Sequence, residues 1–161
     1  QHGNHGICRL PDTQTDVGTT TFPPNCPTGQ LPTPNHSGYI YIAERLASRG
    51  YIVASMNANA INTRANGNPE RGELVLEQLR YWEIWNSARG GAPFDTRFSG
   101  KVDLQNIGLL GHSRGGEGVL AGLEFNRQAG RPFGMKGVIQ IGPVEFGRTT
   151  SATAVTTGHP V

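Results

Sequence analysis

The run Gly111-His112-Ser113-Arg114-Gly115 constrains this chain more than any other feature. Ile107-Gly108-Leu109-Leu110 leads into it as a short apolar strand, and a helical segment follows at once. A serine in that setting sits on a sharp strand-to-helix turn. The turn is tight enough that the flanking positions must lack bulky side chains, which glycine satisfies. The following helix then directs its first N–H groups and its positive dipole end toward the serine. The spacing alone is weak evidence in a chain with 23 glycines among 161 residues. The strand before the turn and the helix after it make Ser113 a candidate nucleophile rather than a residue of a packing turn.

The rest of the chain supplies matching elements. Residues 1–36 are punctuated by prolines and predict a long loop. A helix is expected over 37–49, capped by Ser37 and ended by Gly50, with Tyr39, Ile42, Ala43, Leu46 and Ala47 as its apolar stripe. Tyr51 to Met56 predicts a short strand buried on both faces. An Asn-rich loop at 57–69 precedes a second helix over 70–88. Its expected stripe is Leu74, Tyr81, Trp85 and Ala88, with Val75, Leu79 and Trp82 beside it. The helical spacing of Trp82 and Trp85 marks them as core rather than a binding platform. A strand at 105–110, a helix at 117–128 and a strand at 135–141 complete an alternating α/β order, which predicts a parallel sheet flanked by helices.

Composition narrows the partners. A hydrophobic content of 35% suits a globular domain, and the net charge of +2 with scattered Lys and Arg excludes a basic nucleic-acid-binding stripe. No apolar run reaches the length of a membrane span. Cys8 and Cys26 lie in the loop region, where a disulfide is expected, and an oxidising compartment (secreted or periplasmic) with it. His2 and His5 have no accompanying Cys or carboxylate cluster, so no metal is expected, and no cofactor is implied.

The loop Gln1-His2-Gly3-Asn4-His5-Gly6, the step Glu44-Arg45-Leu46-Ala47-Ser48-Arg49-Gly50-Tyr51 and the Gly111 to Gly116 turn together resemble the α/β-hydrolase superfamily. The helix–strand–helix–strand–turn order is especially similar to cutinase-like and polyester-hydrolase-like serine esterases. The resemblance implies an α/β fold in which Ser113 attacks an ester carbonyl and forms an acyl-enzyme. The oxyanion would be held by the backbone N–H of Arg114 and by an N–H near Asn4 or His5. Small-molecule or polymeric esters would be the substrates, with the Asn-rich segment and the Cys8–Cys26 loop as candidate substrate contacts. An acyltransferase, or an inactive module of the same fold used for binding, is the alternative. Arg114 and Glu117 depart from the uncharged residues common at these places.

A base and an orienting acid complete such a site. After Ser113 the chain offers Glu145 and a lone histidine, His159, close to its end. His112 is expected to be structural. In the family the strand before the His-Gly loop lies between the strands read here at 51–56 and 105–110. The 161 residues are therefore expected to be one incomplete α/β-hydrolase domain. Outer strands would be missing at both ends, and the catalytic acid and histidine would lie outside the segment.

Overall fold

The computed structural model describes residues 1–12, 25–62 and 67–144. Its elements, in chain order, are β1 (Cys8–Arg9), β2 (Leu31–Pro32), a 3-10 turn (Asn35–Ser37), α1 (Ile40–Ala47), α2 (Asn59–Asn62), α3 (Asn68–Asn86), β3 (Ile107–His112), α4 (Arg114–Gln128) and β4 (Met135–Ile141). The architecture is broadly α/β. β3 and β4 pair in parallel, with Leu109 opposite Val138 and His112 opposite Ile141, and α4 connects them. β1 and β2 form a separate two-residue antiparallel bridge inside the loop expected over 1–36.

The core forms where α3 and α4 cover the sheet. Val75, Leu76 and Leu79 of α3 meet Leu109 of β3, Val119 of α4 and Phe133, all buried. Close approach of the two helices depends on small residues. A β-carbon on Gly122 would stand 2.9 Å from Cβ of Val75, and one on Gly72 would stand 2.8 Å from Cβ of Ala121. Beyond α4 the chain turns through a buried amide clasp. Asn126 Nδ2 donates to the Phe133 carbonyl at 2.8 Å, and the Phe133 N–H donates back to Asn126 Oδ1 at 3.1 Å. That side chain satisfies both backbone groups of a residue that enters the core.

Several expectations shift. α3 starts at Asn68, with Pro69 in its first turn, and it buries Arg71, Val75, Leu76, Leu79 and Trp82. The stripe expected through Leu74, Tyr81, Trp85 and Ala88 is thus rotated toward its neighbour, and Tyr81 is exposed. Trp82 and Trp85 pack with Phe94 and Phe98 in an edge-to-face cluster, but only Trp82 is buried; Trp85 is half-buried at the edge of that cluster. α4 begins at Arg114, three residues before the expected 117, because the helix starts directly from the turn. β3 likewise runs on to His112.

α1 is shorter than the predicted 37–49, and Ser37 lies in the 3-10 turn instead of capping it. α1 itself ends at Ala47, and the turn beyond it closes at Gly50 as expected. There φ is +90°, the Gly50 N–H bonds to Ala47 O and the Tyr51 N–H to Leu46 O, the pair of bonds that closes a helix through a left-handed glycine. The strand expected at 51–56 is corrected. No strand pairs with it among the described residues, and Tyr51, Ile52 and Val53 are 62%, 45% and 38% exposed. An apolar run becomes a buried parallel strand only where neighbouring strands take up its N–H and C=O groups.

Candidate functional site

Ser113 occupies the single-residue junction between β3 and α4. Its φ is +52° and its ψ −126°, a backbone region that non-glycine residues rarely enter. The Ser113 N–H still bonds to Ile141 O at 2.9 Å, so the sheet holds the turn up to its last peptide. The two glycines of the motif answer to separate contacts. A β-carbon on Gly111 would stand 2.2 Å from the Gly115 carbonyl oxygen, which fixes how tightly the turn closes. A β-carbon on Gly115 would stand 2.3 Å from the Gln1 carbonyl and 2.6 Å from that of His2. Gly115 therefore makes room for the loop at the start of the chain.

That loop lies across the turn. Gln1 runs beside β3 on the side away from β4: its nitrogen donates to Leu110 O, and its carbonyl accepts the His112 N–H at 3.0 Å. Two residues on, a β-carbon on Gly3 would stand 2.7 Å from Cβ of Ser113 and 3.0 Å from the His112 carbonyl. Gly3 is buried, whereas Asn4 and His5 are exposed. The structure thus brings together the Ser113–Arg114 turn and the His2–Gly6 loop. The His112 ring lies against this loop, stacked on His5 with centroids 5.5 Å apart and tilted against Tyr39 at 5.8 Å.

His2 is buried and its two ring nitrogens have distinct roles. The Ala58 N–H donates to Nε2 at 2.8 Å, so Nε2 carries a lone pair. Nδ1 therefore bears the proton and donates to Gly3 O at 2.8 Å. The ring is the neutral Nδ1–H tautomer. Burial, together with the Arg71 charge and against the bond to Gly3, lowers its pKa from 6.5 to about 4.

A buried polar group lies under the loop, and motif spacing gave no warning of it. Arg71, only 1% exposed, sits in the first turns of α3. Its Nη1 donates to His2 O at 2.9 Å and its Nη2 to Asn62 Oδ1. Burial first, then the charge of Arg114, lowers its pKa to about 10, with Glu117 acting in the opposite direction, so Arg71 is a cation at neutral pH. Glu117, also buried, accepts from Asn68 Nδ2. One sequence signal was available for Arg71: it stands four and eight residues before Val75 and Leu79, on the stripe that faces the core.

Cys8 and Cys26 form a disulfide, with Cα atoms 5.6 Å apart. Among the described residues, no three His, Cys, Asp or Glu side chains are grouped to hold a metal ion, and no helix is long and apolar enough to cross a membrane. Glu145 and His159, the acid and base offered by the sequence, lie outside the described residues.

No family model matches the chain, and no solved structure matches it. Among curated proteins it is similar to the bis(hydroxyethyl) terephthalate hydrolase of Streptomyces coelicolor, 31% identical over 84 residues. The match covers 52% of this chain but 23% of that protein, so the chain spans about a quarter of its curated relative. The similarity is to a protein named as a hydrolase.

Proposed function

We propose that this chain carries the nucleophile of an α/β-hydrolase-fold serine esterase, with Ser113 forming the acyl-enzyme on a carboxylic ester. The observation that carries the reading is the Ser113 backbone, at φ +52° between a parallel strand and a helix N-terminus, with Gly3 against its β-carbon. Attack by Oγ on the ester carbonyl forms a tetrahedral oxyanion, and collapse expels the alcohol. Arg114 opens α4, where first-turn N–H groups point out of the helix toward such a charge. The second donor belongs to the loop at Asn4 or His5. The name of the Streptomyces relative supports ester hydrolysis, and small or polymeric esters are the substrate class. The disulfide supports a secreted or periplasmic setting.

Ser113 also needs a base to take its proton and an acid to orient that base. His2 does not serve, since both its nitrogens are engaged with the backbone. The test uses the protein expressed at the full length of its gene. A fluorophosphonate should label Ser113, and Ser113→Ala should abolish hydrolysis of a short p-nitrophenyl ester. Wild-type turnover by that variant rules the reading out. An acyl product found on an added alcohol in place of water would make the protein an acyltransferase.

A further inference from the structure

Four carbonyls of the loop across Ser113 are held by side chains, three of them from distant parts of the chain. Arg71 Nη1 donates to His2 O at 2.9 Å, and the His2 ring donates to Gly3 O at 2.8 Å. Asn62 Nδ2 donates to His5 O at 3.0 Å, and Asn35 Nδ2 donates to Gly6 O at 2.9 Å. Asn62 is itself held by Arg71, whose Nη2 donates to its Oδ1. One buried guanidinium therefore fixes the His2 carbonyl directly and the His5 carbonyl through Asn62.

A planar trans peptide carries its C=O and N–H on opposite sides. The described cis bond is at Ala92–Pro93, well away from this loop. Pinning the His2 carbonyl on Arg71 turns the Gly3 N–H away from Arg71. Pinning the Gly3 carbonyl on the His2 ring turns the Asn4 N–H away from that ring. Asn35 and Asn59 extend the frame: Asn35 Nδ2 also donates to Asn59 Oδ1, and Asn59 Nδ2 donates to Thr33 O at 2.8 Å. A primary amide suits this work because it donates and accepts at once. The described part of the Asn-rich segment thus braces the loop.

We propose that Arg71 and Asn62 are positioning residues for the reaction at Ser113: by fixing the His2–Gly3 and His5–Gly6 peptides they hold, from both sides, the peptides that carry the Asn4 and His5 N–H groups facing the oxyanion. This rests on the esterase reading above. The carbonyls are held from behind, so the donors are in place before substrate arrives and need not reorganise as charge develops.

Asn62→Asp tests it with little change in shape, keeping an acceptor for Arg71 and removing the donor to His5 O. Arg71→Lys keeps the charge and removes the two-pronged donor. In the full-length protein each variant should lower kcat roughly 10- to 100-fold on a p-nitrophenyl ester. KM should stay within about threefold, because the loss falls on the transition state. Affinity for phenylboronic acid, which forms a tetrahedral adduct on the serine, should fall by the same factor as kcat. Fluorophosphonate should still label Ser113 in both.

Wild-type kcat in a folded Asn62→Asp variant overturns the proposal. So does a loss confined to KM, or a loss of kcat with unchanged boronate affinity. Should Arg71→Lys not fold, Asn62→Asp decides alone. Failure of the esterase reading has another signature: unlabelled Ser113 in the wild type, with full turnover by Ser113→Ala.

Discussion

Gly3 lies so close to Ser113 that a β-carbon there would stand 2.7 Å from the serine's own Cβ and 3.0 Å from the carbonyl oxygen of His112. Neither neighbour can yield cheaply, since one is bonded directly to the elbow backbone and the other is part of β3. Gly3→Ala should therefore lift the loop off the turn. Turnover of a short ester should fall about 100-fold, the scale expected when reacting groups are displaced by about 1 Å. Steady-state kinetics beside a thermal melt checks this. A folded Gly3→Ala protein with wild-type kcat would separate the loop from the chemistry.

The His2 ring predicts a pH dependence of stability. Its folded-state pKa is about 4, against an ordinary 6.5, chiefly because burial disfavours the cation. Between those values the unfolded chain binds a proton that the folded chain does not. Stability from this group is therefore complete above pH 6.5, declines as pH falls toward 4, and changes no further below it. Protonation would also take the lone pair that accepts the Ala58 N–H. Urea midpoints of the wild type should fall more steeply from pH 6.5 to 4 than those of His2→Gln. Parallel curves for the two proteins would contradict the assignment.

Local pattern revealed the turn and its neighbours because each depends on residues close in sequence. Ile107 to Leu110 is apolar and runs into Gly111, α4 follows, and β4 occupies the expected 135–141. Gly50 ended a helix through its own backbone freedom. The strand at 51–56 failed for the opposite reason, since apolar residues announce burial but do not say what buries them. The brace under the loop was less legible still. Its bonds join residues 57 apart, as in Asn62 to His5, or 69 apart, as in Arg71 to His2. Asparagines near such a partner are indistinguishable in sequence from asparagines in an open loop. Arg71 was the exception, a charge on a core-facing stripe.

The disulfide closes a segment with a sequence separation of 18 and has one end, Cys8, fully buried two residues beyond Gly6. Chain entropy alone assigns such a closure about 3 kcal/mol of stability. Cys8→Ala/Cys26→Ala, or reduction of the wild type, should lower the unfolding free energy by about that amount. Denaturant titration with and without a reductant measures it. Equal midpoints for the reduced and oxidised forms would show that the bridge adds nothing.

The contact between α3 and α4 carries the last expectation. Gly72→Ala would usually help a helix, by up to about 1 kcal/mol. Here the new methyl would stand 2.8 Å from Cβ of Ala121 and 2.9 Å from both the Ala121 carbonyl carbon and the Gly122 nitrogen. Two of those three atoms are backbone of α4, so relief requires the helices to separate and loosen the packing of Val75 on Gly122. Overpacking of this kind costs about 1–3 kcal/mol, which outweighs the gain in propensity. Gly72→Ala should thus lower the unfolding midpoint. Glu77→Ala, on the exposed side of α3 where Glu77 pairs with Arg80, should leave it within about 0.5 kcal/mol of wild type. Stabilisation by Gly72→Ala would mean that the two helices do not approach as closely as these distances require.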